Sequence, residues 1–289
     1  MSSARYAYLG PEGTFTEAAL RTLPEAATKE LVPMRTVPAA LAAVRRGEAS
    51  AALVPIENSV EGGVAVTMDE LAGGSPLVIL SEVVLPISFA LLVRPGVRIE
   101  DVKRVTGHPM AQGQVRHWLE KYLPDAYWEP AASNAAGARM VQEGQFDGAF
   151  AGEFAAPIYG LTPLVTGIHD AFEAVTRFVL VGRPGRLPAP TGSDRTSVVV
   201  RPTDDRPGAL LEVLQEFSVR GVNLMRIESR PTGEQLGRYW FTIDAEGHLA
   251  DPRVAEVLTG LRRRCPDVRV LGSYPQADRT APGPVETLV

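Results

Sequence analysis

The chain has 289 residues, one cysteine and a formal net charge of −5, from 29 basic and 34 acidic side chains mixed along its length. That length suits two domains, each able to bury its own core. The lone Cys265 excludes an internal disulfide and the paired thiols of a zinc or redox centre, and the mild acidity excludes broad affinity for nucleic acid or an acidic membrane. The first apolar run, 6–9, is cut at once by Gly10-Pro11 and is too short for a secretory leader or a membrane span, so the cytosol is the expected location. Arg262, Arg263 and Arg264 form the one dense basic run; at the end of a helix they complement its dipole and stay solvated.

From residue 5 to about 182, short branched runs alternate with alanine-rich amphipathic stretches, the pattern of an α/β layer architecture. The spacing predicts strands at 6–9, 51–54, 78–79, 88–93, 102–106, 147–151 and 178–181. It predicts helices over 38–46, 109–122 and 134–143, with Pro38 and Pro109 at tolerated starts. Residues 184–194 lie in a run dense in glycine and proline that reads as a linker. Beyond it come a strand at 197–201, a helix at 207–220, a strand at 222–228, a turn at 231–233, a strand at 239–244, a helix at 251–263 and a strand at 268–273. That order, βαββαβ, is the ferredoxin-like arrangement. Residues 276–289 lack any period and are expected to be a disordered tail.

Three segments have the composition of a ligand site. Gly10-Pro11-Glu12-Gly13-Thr14-Phe15 stands between a strand and a helix; it is either an anion-attracting turn or an ordinary tight turn in which Thr14 caps the helix. Pro55-Ile56-Glu57-Asn58-Ser59 delivers polar groups at a strand end, where open α/β sheets bind ligands, though Asn58 or Ser59 can equally be a helix cap. Thr176-Arg177-Phe178 opens an apolar strand with a hydroxyl beside a guanidinium, which suits a carboxylate ligand or a buried structural ion pair. The four histidines show no metal-ligand spacing, and no metal or cofactor is implied.

Taken together, GPEGTF at 10–15, PIENS at 55–59 and TRF at 176–178 resemble the prephenate dehydratase family. DRPGALLEVLQEF at 205–217 and IESRP at 227–231 resemble its ACT-type regulatory domain. The resemblance implies a two-lobed, periplasmic-binding-protein-like catalytic domain over 1–183, with crossovers near 81–86 and 176–178, and a ferredoxin-like ACT domain over 195–275. It implies that Thr176 is catalytic and that Arg177, Phe178, Asn58, Ser59, Gly13, Thr14, Ser133 and Gln142 contact substrate. Where the family commonly shows SHPQ, this chain has Gly107-His108-Pro109-Met110, with an apolar residue in the fourth place. Glu12 and Glu57 are expected to be structural or orienting, because a carboxylate facing a dianion is unfavourable.

The implied reaction converts prephenate to phenylpyruvate with loss of water and carbon dioxide, without a cofactor. Arogenate is the alternative substrate, and a non-catalytic sensor of amino acids or carboxylates is the alternative class. L-Phenylalanine is the implied effector and is expected to inhibit. Its contacts would be Gly208, Ala209, Leu210, Leu211, Asn223, Glu228, Ser229, Arg230 and Pro231, at a pairing of ACT domains in a homodimer or homotetramer.

Overall fold

Strand pairing divides the chain into three sheets, seen in a computed structural model described over residues 4–170, 174–202, 206–232 and 239–277. Asp205, Gly233 and residues 278–289 of the expected tail lie outside the described residues. The chain opens with β1 (Arg5–Leu9), α1 (Phe15–Arg21), β2 (Glu30–Met34), α2 (Val37–Arg45), β3 (Ala51–Asn58), β4 (Gly62–Gly63), α3 (Ala65–Ala72) and β5 (Val78–Pro86). A second lobe follows from β6 (Phe89–Val93), β7 (Arg104–Gly107), α4 (Pro109–Gln114), α5 (Arg116–Tyr122), β8 (Tyr127–Pro130), α6 (Asn134–Gln142), β9 (Gly148–Ala151) and β10 (Thr162–Ile168). The chain then returns through β11 (Val175–Gly182) to the first sheet, ordered β2-β1-β3-β11-β5 with β4 beside β3; the second is ordered β10-β6-β9-β7-β8. Two α/β lobes joined by two crossings are the periplasmic-binding-protein-like arrangement anticipated above; the chain leaves the first sheet after β5 and returns to it at β11.

The C-terminal part contains β12 (Asp194–Arg201), α7 (Ala209–Ser218), β13 (Leu224–Pro231), β14 (Tyr239–Glu246), α8 (Pro252–Arg264) and β15 (Asp267–Pro275), in a sheet ordered β13-β14-β12-β15. That is the ferredoxin-like order, with both helices on one face around Val213, Phe217, Val257 and Leu261. Its other face packs on the first lobe. Val199, Trp240, Leu271 and Tyr274 share one core with Ala52, Val54, Val179 and Val181 of the first sheet. The opposite face of that first sheet packs Tyr8, Leu53, Phe178 and Leu180 against Ala19 and Leu20 of α1.

Local chemistry accounts for the helix starts that frame the site. Thr14, Thr36 and Ser133 each accept a backbone N–H from the first turn, of α1, α2 and α6 respectively. The single helix expected over 109–122 is two, α4 and α5, meeting at Val115, whose backbone leaves the helical region. Four strands were not read from the sequence: β2, β8 and β10, which lie at sheet edges, and the two-residue β4 beside β3. Among the described residues, no helix is long and apolar enough to cross a membrane.

The first lobe and the C-terminal sheet touch backbone to backbone at Gly272 of β15. A methyl there would collide with the carbonyl oxygen of Ile79 on β5 and sit 3.0 Å from its nitrogen. Gly272→Ala is therefore expected to cost about 1–3 kcal/mol, the usual penalty of overpacking, measured by denaturant unfolding with the wild type as reference.

Candidate active site

Successive residues of β11 point to opposite faces, so each letter of Thr176-Arg177-Phe178 has a different environment. Phe178 enters the core beneath α1 and is 2 % exposed, which makes it a packing residue. Thr176 lies on the same face, one step nearer the lobe junction, and is paired with Asn58 of β3 and Leu85 of β5. A register shift brings Asn58 there. Phe178 pairs with Pro55 but Arg177 pairs with Glu57, leaving Ile56 as the extra residue of a bulge. Ile56 and Glu57 consequently face the C-terminal sheet together, and Asn58 turns to the Thr176 side.

The pair is nearly sealed from water, with Asn58 7 % and Thr176 8 % exposed. Asn58 Oδ1 accepts the N–H groups of Val60 at 2.8 Å and Glu61 at 3.1 Å, which fixes the amide with Nδ2 turned to Thr176. Nδ2 donates to Thr176 Oγ1 at 2.8 Å. One lone pair of the hydroxyl is thus occupied, and its proton remains available to a bound acceptor. Ser59 has a supporting part: its Oγ accepts the N–H of Val175 at 3.0 Å, fastening the start of β11 to the loop after β3.

The second lobe packs against the turn from Gly10 to Phe15 in the first. Tyr159 donates to the carbonyl of Glu12 at 2.7 Å, and Phe15 makes edge contacts with Phe89 and Phe154 at 5.6 and 5.2 Å. Gly13, at φ +80°, has Tyr159 and Ala155 where a side chain would go, so this glycine serves lobe contact, and Thr14 is the helix cap. A cavity of about 380 Å³ with walls from Phe15, Leu85, Phe89 and Phe154 opens one strand from Thr176. His108, at the end of β7, accepts the N–H of Met110 on Nδ1, which leaves Nε2 to carry the proton of the neutral ring. Burial lowers the pKa of His108, and Glu61 of the first lobe opposes that shift, so the imidazole is neutral at neutral pH.

Arg177 departs from the expected substrate contact. Its side chain leaves the sheet on the face away from Thr176 and is saturated by carboxylates: Nε donates to Glu57 at 3.0 Å, Nη1 to Glu82 at 3.1 Å and Nη2 to Asp244 of the C-terminal domain at 2.5 Å. Burial favours neutral Arg177, but Asp244, Tyr274, Glu82 and Glu57 outweigh it and hold the guanidinium cationic. Asp244 is the counterpart: burial raises its carboxyl, yet Arg177, Arg226, Ser197 and Arg195 bring it below the usual carboxylate range. The alternative of a buried structural ion pair is the arrangement found, with Glu57 in an orienting part.

Two other expected residues separate. Ser133 caps α6 at the end near His108, whose backbone N–H is bound by Asn134 Oδ1 at 2.8 Å. Gln142 is exposed at the other end of that helix, about 13 Å away at the rise of an α-helix, and does not converge with Thr176. In the C-terminal domain, Gly208 starts α7 with φ +88°, and the chain directions bring Gly208, Ala209, Leu210 and Leu211 to the same end of the sheet as Glu228, Ser229, Arg230 and Pro231. Asn223 stands at the opposite end of β13, roughly 16 Å from Glu228 at the rise of a strand. Arg230 pairs with Asp69 of α3 at 2.6 Å, and Glu228 lies against Gly63, leaving no room there for a side chain. Sequence reading missed Glu82 and Asp244; the available signal was a carboxylate inside an otherwise apolar strand, which is unfavourable unless paired.

Comparison with known proteins matches a family model described as prephenate dehydratase over residues 6–186 and one described as ACT domain over 203–263. The chain is 50 % identical to prephenate dehydratase of Mycobacterium ulcerans, covering 97 % of this chain and 91 % of the relative. A crystal structure of prephenate dehydratase from Arthrobacter aurescens in complex with L-Phe superposes with a TM-score of 0.91 at 50 % identity, covering 96 % and 92 % of the two chains. A structure of GqqA, described as a novel type of quorum quenching acylase, superposes with a TM-score of 0.83 at 30 % identity, covering 95 % and 98 %.

Arg177→Ala strands three carboxylates, two of them almost wholly buried. The expected loss is about 3–5 kcal/mol of unfolding free energy, the usual result of removing one member of a buried pair, measured by urea unfolding at neutral pH.

Proposed function

This chain belongs to the prephenate dehydratase family, and we propose that it releases the ring hydroxyl of prephenate through a hydrogen bond from Thr176. The family reaction breaks the bond between the ring and its carboxylate, whose electrons enter the ring as the carbon–oxygen bond on the opposite carbon breaks. Carbon dioxide and water leave, and phenylpyruvate remains. Aromatisation supplies the driving force, so the site has to hold the anion, keep water out and assist the leaving oxygen.

The observation that carries this reading is the bond from Asn58 Nδ2 to Thr176 Oγ1, both side chains being almost wholly buried. A threonine is a weak acid, but an amide donating to its oxygen stabilises negative charge that develops there and directs its proton outward. The proton that completes the departing water comes from the hydroxyl and is restored to it from solvent. The aromatic wall of Phe15, Phe89 and Phe154 suits the ring that forms. The carbon–oxygen lyase assignment takes prephenate as substrate in preference to arogenate, and rates on the two settle that preference. The acylase at 30 % identity makes phenylpyruvate formation the decisive assay.

L-Phenylalanine, bound by the Arthrobacter relative, is taken as the effector here too, acting through the C-terminal domain as an inhibitor. Within one chain Asn223 lies at the far end of β13 from the Gly208 and Glu228 segments. It can join them only from a second copy, which supports a homo-oligomer paired through these domains. The single buried cysteine fits a cytosolic setting.

Two outcomes follow. Thr176→Ala is expected to lower kcat by about 10²–10⁴ with phenylpyruvate formation as the readout, while Thr176→Ser keeps most of the rate. An alanine variant with undiminished kcat removes Thr176 from the chemistry. Added L-phenylalanine is expected to reduce the rate through a coupling of about 1–3 kcal/mol, and a rate indifferent to it at saturating concentrations rules out the effector assignment.

A further inference from the structure

We propose that Asp244, in the C-terminal domain, is a positioning residue for the dehydration, acting through Arg177 to keep Thr176 opposite Asn58. This rests on the reading of Thr176 as the donor. The Thr176–Asn58 pair exists only because of the bulge at Ile56. Continued without it, the register of Phe178 with Pro55 would set Thr176 opposite Glu57 and leave Asn58 on the other face. A strand end with one extra residue is relieved by a one-residue slip unless something pins it. The pin is Glu57 bound to Arg177 Nε at 3.0 Å, one residue from the hydroxyl in each strand.

Arg177 is in turn held from outside the catalytic lobes. Asp244 is fully buried in β14, and its shortest contact with a cation, 2.5 Å, is to Arg177; Arg195, from its own sheet, is 3.4 Å away. The other carboxylate oxygen accepts Ser197 Oγ at 2.6 Å, and Ser197 is bonded to the buried Tyr274 hydroxyl at 2.7 Å. Strands β12, β14 and β15 thus place one charge against the back of the strand that carries Thr176. The C-terminal domain supplies part of the scaffold of the active site, besides any ligand it binds.

The test is Asp244→Asn in the full chain, which keeps the volume and removes the charge. The expected result, per folded protein, is a fall in kcat of about 10- to 100-fold, the order that a small misplacement of a catalytic group costs, with KM little changed. In the double variant with Arg177→Gln, kcat should drop no further than in the worse single variant, because the two act as one unit. A merely structural part predicts a lower melting temperature with wild-type kcat, and that result, or multiplicative losses in the double variant, overturns the proposal. If Asp244→Asn yields no folded protein, Ser197→Ala decides: a smaller kcat loss at constant KM supports it, and an unchanged kcat overturns it. Full activity in Asp244→Asn beside an inactive Thr176→Ala defeats the positioning inference alone; an active Thr176→Ala defeats the reading beneath it.

Discussion

The alternation of side chains along β11 sets the Thr176 hydroxyl and the buried Arg177 guanidinium back to back. Thr176 is bonded to Asn58 on one face, and on the other Arg177 faces the C-terminal domain, whose sheet packs on that of the first lobe. Neither residue can be moved without the other, because they share a peptide bond in a strand paired on both sides. The catalytic lobes, their bulge and the docked C-terminal sheet therefore form one mechanical unit.

Different forces set the strength of that docking and its register. Trp240, Leu271 and Tyr274 are at most 4 % exposed against the first lobe, and each contributes on the order of 1.5–3 kcal/mol from burial of apolar surface. The buried ions are another matter. Desolvation of Arg177, Glu82 and Asp244 offsets most of their mutual attraction, so the cluster adds little net affinity although its disruption is costly. Apolar contact would tolerate a small slide of one sheet over the other; three fixed donor directions on one guanidinium do not. Binding strength lies with the hydrocarbon core, and alignment lies with the charges.

How much of this was legible in the sequence follows the same division. The α/β alternation and the βαββαβ order show in hydrophobic period and glycine punctuation, which are local signals, whereas the division into two lobes came with the family resemblance. Of the four strands that escaped notice, β4 is only two glycines long, and β2, β8 and β10 contain Pro33, Pro130 and Pro163; proline argues against a strand until its position in the sheet is known. At an edge the missing N–H goes unneeded, and only the finished sheet says which strands are edges. Motif identity picked out Thr176 and Asn58 but not their geometry, since a one-residue bulge leaves no mark in composition. The resemblance carried Arg177 to the substrate together with Thr176, yet alternation along a strand turns the two to opposite faces. It also grouped Ser133 with Gln142, which a helix places nine residues apart at opposite ends.

The end of the C-terminal domain that carries Gly208 and Glu228 bears on the same few residues from a second direction. Glu228 sits against Gly63, which pairs with Glu57 across β4 and β3, and Arg230 grips Asp69 on the next helix. Between these contacts and β3 runs the loop whose N–H groups hold the Asn58 amide. A ligand shifts an equilibrium only by the difference in its affinity for two states, so whatever binds at this end must favour one seating of Glu228 and Arg230 over another. Because those side chains have discrete ionic partners, a small displacement exchanges partners rather than stretching bonds. The loop would then hold or release the amide, and the hydroxyl of Thr176 would keep or lose the one group that directs its proton.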